Sequence, residues 1–283
     1  MILKTNLDQK DIDLYNEKFA EIENIPGFPM GLDQYICDFM LSMQNKAKIE
    51  GNLSELGTYK GKYAAKMAKY LNNNEFIFIV DVSDLTDPIK NINLVNPDAK
   101  VEALRDFTAN IEKSANYNQL LHSNRYIHID ASHNADDLYH DLSVAEKMLK
   151  VTGGIVAIDD IFVKSYANLT ETLYRYLEHN PYDYRMFLLG DTKAYLCRPK
   201  DYDFYYSLIS ENLVDYINYV SGRHCKIYKR DSIGNCYTIT IFDDPKFEEE
   251  APDIKAVGIG ISLLPFHSYN KITFDKMEGD KYY

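Results

Sequence analysis

Residues 52–61 read Asn-Leu-Ser-Glu-Leu-Gly-Thr-Tyr-Lys-Gly, and this stretch decides the fold. Asn52 to Leu56 can be a first strand that halts at Gly57, and from Lys62 to Leu71 the spacing of Ala64, Ala68 and Leu71 gives one apolar helical face. The pattern is strand, glycine turn, helix. Open parallel sheets bind ligands at the carboxyl ends of their strands, and glycines there let a cofactor approach the backbone and the positive end of the helix. The spacing Glu55, Gly57, Gly61 is not the GxGxxG of dinucleotide enzymes. Taken alone it serves a plain tight turn equally well.

Downstream, Phe76 to Val80 (FIFIV) is a continuous apolar run, as suits a strand buried on both faces. Asp81 follows it at the tip, where a carboxylate accepts hydrogen bonds from ribose hydroxyls; capping the next turn is the alternative role. Between residues 85 and 120 the pattern divides. Val101, Leu104, Phe107 and Ile111 fit a helix, whereas the alternation of elements wants a strand near 101–105.

Further on come a strand from Tyr126 to Ile129, a helix carrying Leu138, Leu142, Ala145 and Leu149, and a strand from Ile155 to Ile158. A helix with Leu169, Leu173 and Leu177 precedes two strands, Met186 to Leu189 and Ala194 to Cys197, whose short Gly190 to Lys193 connection makes them a hairpin. The fold expected is α/β: a Rossmann-like, seven-stranded, mostly parallel sheet with an antiparallel final hairpin and helices on both faces.

Upstream, residues 1–50 read as two helical stretches, with Leu14, Phe19 and Ile22 in the first and Ile36, Phe39, Met40 and Met43 in the second. The Pro/Gly segment from Ile25 to Gly31 separates them as a loop, either a connector or a lid. Residues 51–200 form the main domain and 201–283 an α+β extension: a helix from Phe204 to Val220, a hairpin about 231–235, and an acidic tail with the apolar run 256–264. Tyr202, Tyr205, Tyr206, Tyr216 and Tyr219 either cover the core, shape an acceptor pocket or meet another subunit.

Composition narrows the partners. The 31 basic and 43 acidic residues give a net charge of −12, which argues against nucleic acid as a ligand. No run approaches the roughly 20 apolar residues that span a bilayer, so a cytoplasmic protein that does not enter membranes is expected. The four cysteines, Cys37, Cys197, Cys225 and Cys236, have no zinc-finger spacing and read as reduced thiols.

Two further clusters stand just past strand ends: Asp130-Ala131-Ser132-His133 and Asp159-Asp160. Unpaired carboxylates gathered at one edge resist joint ionisation, and a divalent cation such as Mg²⁺ relieves that cost. Such an ion, held by Asp130, Asp159 and Asp160, would acidify a substrate hydroxyl, with His133 taking the proton. Each residue also has a bland reading, as a helix cap or a surface loop residue.

Together, Glu55 to Gly61, His128 to His133 (HIDxxH) and Gly153 to Asp160 (GGxxAxDD) resemble the class I methyltransferases that include the macrocin-type sugar O-methyltransferases. The resemblance covers about residues 50–200. It implies S-adenosylmethionine held by Glu55, Gly57, Thr58, Tyr59, Gly61, Asp81 and Asp130, and methyl transfer to a hydroxyl of a small-molecule acceptor such as a sugar or glycoside. It also implies metal-binding aspartates at Asp130, Asp159 and Asp160, and a catalytic role for Asp130 and His133, since catechol-type relatives carry a lysine where His133 stands. A nicotinamide-dependent oxidoreductase and a catalytically inactive binding or assembly protein are the rival readings. Homo-oligomerisation is left open.

Overall fold

The computed structural model describes Asp13, Asn16, Glu17 and residues 19–28, 30–231 and 236–243. Leu14, the turn 232–235 and the apolar run 256–264 lie outside the described residues.

One nine-stranded sheet runs in the order β3-β2-β1-β4-β5-β7-β6-β9-β8. Its strands are β1 (Asn52–Leu56), β2 (Phe76–Asp81), β3 (Lys100–Arg105), β4 (Asn124–Ile129), β5 (Ile155–Ile158), β6 (Arg185–Leu189), β7 (Ala194–Cys197), β8 (Cys225–Asp231) and β9 (Tyr237–Asp243). The first five strands are mutually parallel, and β7 pairs antiparallel with both β5 and β6.

The expected count of seven strands is corrected to nine. β9 pairs parallel with β6 through Leu188↔Ile239 and Leu189↔Thr240, and β8 pairs antiparallel with β9. A β6 edge left unpaired would expose its backbone N–H and C=O groups, and the extension covers it. The sheet thus continues across residue 200.

The helices are α1 (Phe19–Glu23), α2 (Asp33–Lys46), α3 (Lys62–Ala68), α4 (Thr86–Val95), α5 (Tyr117–Leu120), α6 (Ala135–Met148), α7 (Ala167–His179) and α8 (Tyr202–Ser221). The alternation of strand side chains sorts them to two faces. Ile77 and Ile79 pack with Ile36, Met40, Ala64 and Leu213 from α2, α3 and α8, whereas Phe78 and Val80 pack with Leu142, Ala145 and Leu173 from α6 and α7. Each large side chain so buried contributes about 1.5–3 kcal/mol.

The divided segment resolves as strand β3, with Ile111 buried on the 3₁₀ turn Thr108–Lys113 and Phe107 exposed. As an edge strand β3 is only half covered, so its residues do not form the uninterrupted apolar run of β2. Of the tyrosines singled out in the extension, Tyr205 and Tyr216 are core residues and Tyr219 is exposed. Tyr205 donates to the carbonyl of Gly153, at the amino end of β5.

Candidate functional site

Register brings the sequence motifs into one row. Leu56 pairs with Val80 on one side and Ile129 on the other, and Ile129 pairs with Ile158. The residues that follow, Gly57, Asp81, Asp130 and Asp159, therefore leave the sheet side by side at its carboxyl edge. Backbone bonds continue the ladder there: Gly57 N to Val80 O at 2.9 Å, Asp130 N to Leu56 O at 2.8 Å and Asp159 N to Ile129 O at 2.9 Å.

The loop after β1 turns through three residues of positive φ: Gly57 (84°), Tyr59 (47°) and Gly61 (75°). A side chain at 57 would overlap the carbonyl of Asp130, and one at 61 would press on Pro88, so both positions exclude a Cβ. Asp81 organises this loop. Its Oδ2 accepts from the N–H groups of Thr58 (2.9 Å) and Tyr59 (2.8 Å), and its Oδ1 from Ser83 N (2.8 Å). Burial would raise its pKa, but the N–H donors of Ser83, Tyr59 and Thr58 outweigh that and hold it below the ordinary aspartate value.

Glu55 points inward rather than onto the rim. Its Oε1 meets Nδ1 of His128 at 3.0 Å, and the His128 ring stacks on Tyr63 with centroids 3.8 Å apart. Glu55 Oε2 and His128 Nε2 are buried with no hydrogen-bond partner. Burial, then the charge of Asp130, pushes the Glu55 carboxyl well above its usual range; burial, then Lys193, pushes His128 well below.

The aspartates differ in their surroundings. Asp159 Oδ2 is ion-paired with the Lys193 ammonium, and its Oδ1 accepts from Thr192 Oγ1 (2.7 Å) and Asp160 N (2.8 Å). Burial opposes ionisation of Asp159, but Lys193 beside it wins and holds the carboxyl well below its ordinary value. Asp130 has no such pairing. Burial and then Asp159 raise it to about 7. Asp160, with a positive φ of 58°, meets Nε2 of His133 at 2.8 Å, and the His133 ring stacks on Tyr166 with centroids 4.0 Å apart.

Potential ligand atoms lie within 4.8 Å of one another in two groups among the described residues, His128/Asp130/Asp159 and Asp130/His133/Asp160. The expected trio of Asp130, Asp159 and Asp160 does not form one such group.

Lys193 is the residue that reading the sequence missed. It begins the approach to β7, and the antiparallel pairing Ile158↔Ala194 puts it beside the end of β5. The clue was available: a strand order in which the final hairpin returns next to β5 brings the Gly190 to Lys193 turn to this rim. The N-terminal segment also reaches the turn. Asp33 accepts from Thr192 N (3.1 Å) and Tyr195 Oη (2.8 Å), and Asp191 accepts from Leu32 N (2.7 Å). Phe28, from the loop before α2, lies 6.4 Å from Tyr59, and both are exposed.

An open depression of about 850 Å³ lies at the other end of the sheet, around Asn45, Asn52, Asn72 and Glu75. Those four side chains are engaged in holding the chain together, so the carboxyl-edge rim is the better candidate.

Residues 54–161 match the family model described as "Methyltransferase domain". No curated protein matches the sequence. Solved structures similar to the chain include the O-methyltransferase from Bacillus cereus in complex with SAH (15% identity, 68% of this chain and 91% of that one, TM-score 0.46). The calicheamicin methyltransferase CalS11 is similar at 12% identity, over 70% of this chain and 95% of that one, with a TM-score of 0.48. At such identities and scores neither carries weight for the chemistry of this chain. The match of residues 54–161 to a methyltransferase domain spans the glycine turn, the HIDxxH segment and the paired aspartates.

Proposed function

We propose that this enzyme methylates a hydroxyl oxygen of a small molecule, a sugar or glycoside, with His133 as the base. The observation that carries this reading is the His133–Asp160 pair. A carboxylate bonded to one imidazole nitrogen fixes the tautomer, so Nδ1 becomes the acceptor nitrogen. Stacking on Tyr166 sets the plane of the ring. His133 stands three residues after Asp130, whose carbonyl packs on Gly57, so base and cofactor loop share one rim.

The rim suits S-adenosylmethionine. A sulfonium and an α-ammonium are cations and ribose hydroxyls are donors, and Asp81 and Asp130 on the rim are acceptors. The Gly57 to Gly61 turn gives the approach free of side chains that a cofactor needs. When bound, the cofactor supplies an electrophilic methyl group. The chain's own residues align the acceptor and move its proton from oxygen to His133 Nδ1. The exposed rings of Phe28 and Tyr59 offer flat apolar surface to a sugar ring or a small aromatic.

A divalent cation at Asp130, Asp159 and Asp160 fits less well. Asp159 is committed to Lys193, Thr192 and Asp160 N, and Asp160 to His133. We derive no step through a metal. No helix of the described residues is long and apolar enough to cross a membrane, and no disulfide joins the four cysteines; both features support a cytoplasmic enzyme.

The test is formation of S-adenosylhomocysteine over a panel of glycosides and phenols, with His133→Ala as control. Turnover on glycosides that the variant loses supports the reading. Cofactor binding without product on any hydroxyl acceptor would favour a binding or assembly protein instead.

A further inference from the structure

We infer that the buried Lys193 ammonium is the resident cation of this rim, holding through Asp159 the place that a divalent ion needs, so that methyl transfer here proceeds without divalent metal. The inference rests on the reading that the reaction takes place at this rim.

The geometry favours a fixed charge over a passing surface contact. Lys193 is 4% exposed, and its ammonium lies 5.0 Å from the centre of the Tyr63 ring. The turn that carries it is clamped from several directions: Gly190 N donates to Lys193 O (2.8 Å), Ile161 N to Thr192 O (2.8 Å) and Thr192 N to Asp33 Oδ2 (3.1 Å). The side chain therefore has no easy route away from Asp159.

Electrostatics points the same way. The Lys193 ammonium is ion-paired with Asp159 Oδ2 in a buried position. A divalent ion bound at Asp159 would have to sit against that ammonium, and like charges a few ångströms apart in a dry site repel strongly. Asp159 also has both oxygens engaged. Lys193 is thus a positioning residue: it neutralises the carboxylate row and fixes Asp159, whose Oδ1 in turn receives the N–H of Asp160, the partner of His133.

The experiment titrates the full chain, freed of metals with EDTA, with Mn²⁺ alone, reading free Mn²⁺ by electron paramagnetic resonance. In parallel, S-adenosylmethionine binding is measured by calorimetry with and without EDTA. The wild type is expected to bind Mn²⁺ no tighter than about 1 mM, in the range of weak carboxylate sites. Lys193→Met uncovers Asp159 and should bind Mn²⁺ roughly tenfold tighter or more, while Lys193→Arg keeps the wild-type behaviour.

Tight Mn²⁺ binding by the wild type, abolished by Asp159→Asn or by His133→Ala, would overturn the inference, as would turnover that EDTA abolishes and Mn²⁺ restores. The wild-type titration decides the matter even where Lys193→Met fails to fold. Absence of any S-adenosylmethionine binding would instead defeat the placement of the reaction at this rim, and leaves the Mn²⁺ result to judge the resident cation.

Discussion

Gly57 packs so closely on Asp130 that a Cβ at position 57 would overlap the Asp130 carbonyl oxygen. The tips of β1 and β4 therefore meet through a position that tolerates only glycine, and the loop after β1 takes its shape from that contact. Gly57→Ala should separate the two tips. We expect a loss of stability of at least about 1–3 kcal/mol from the strained φ and the overlap, and at least roughly tenfold weaker S-adenosylmethionine binding. Urea unfolding and calorimetry would read both effects, and an unchanged affinity would mean that the loop does not hold the cofactor.

Asp81 supports the same loop from the other side through the N–H groups of Thr58 and Tyr59. Its pKa is lowered in the fold, so its contribution to stability is present above the unfolded value near 4 and is lost as pH falls through the lower folded value. Asp81→Asn should weaken cofactor binding. The stability gap between wild type and variant should shrink below about pH 4; a constant gap down to strong acid would argue against the ionised Asp81 as the loop's anchor.

Asp130 behaves in the opposite sense. Its folded value is raised to about 7, so the protonated form favours the fold. That contribution is full below the unfolded value near 4 and disappears as pH rises through 7. The stability of the wild type relative to Asp130→Asn should therefore decline between about pH 4 and 7, and only modestly, because Asp130 is exposed at the rim and solvent screens its neighbours. Chemical denaturation at several pH values measures this, and a rising difference would contradict the raised value.

His133→Ala should lower kcat by about 10²- to 10⁴-fold, as loss of a general base does, with the affinity for S-adenosylmethionine within about twofold. Asp160→Asn should reduce kcat in the same direction by freeing the imidazole. Equal losses in cofactor binding and in turnover would mean that the pair shapes the pocket rather than moves the proton.

Arg125 and Glu75 form a buried ion pair at the amino end of the sheet, with Arg125 also donating to Gln44 Oε1, Tyr70 O and Gly51 O. Arg125→Ala removes the cation beside Glu75, which keeps only the N–H groups of Gly51 and Asn72, and should cost about 3 kcal/mol. Since the pair stands at the edge opposite the rim, the folded fraction should bind cofactor normally. Unfolding curves and calorimetry on the same sample separate the two effects.

What the sequence determined by itself was local. The continuous FIFIV run announced a central strand, a glycine after Leu56 announced a turn, and Asp130, Asp159 and Asp160 announced strand tips, because periodicity and turn chemistry act within a few residues. Non-local pairing was beyond its reach. Residues 188 and 239 are joined by a parallel ladder that enlarges the sheet to nine strands, and nothing near either residue signals that partnership. The same holds for Lys193, which as part of a hairpin turn looks like a solvated loop residue. Only the antiparallel register of β5 and β7 buries it against Asp159, and a charge removed from water takes its partner from the tertiary structure.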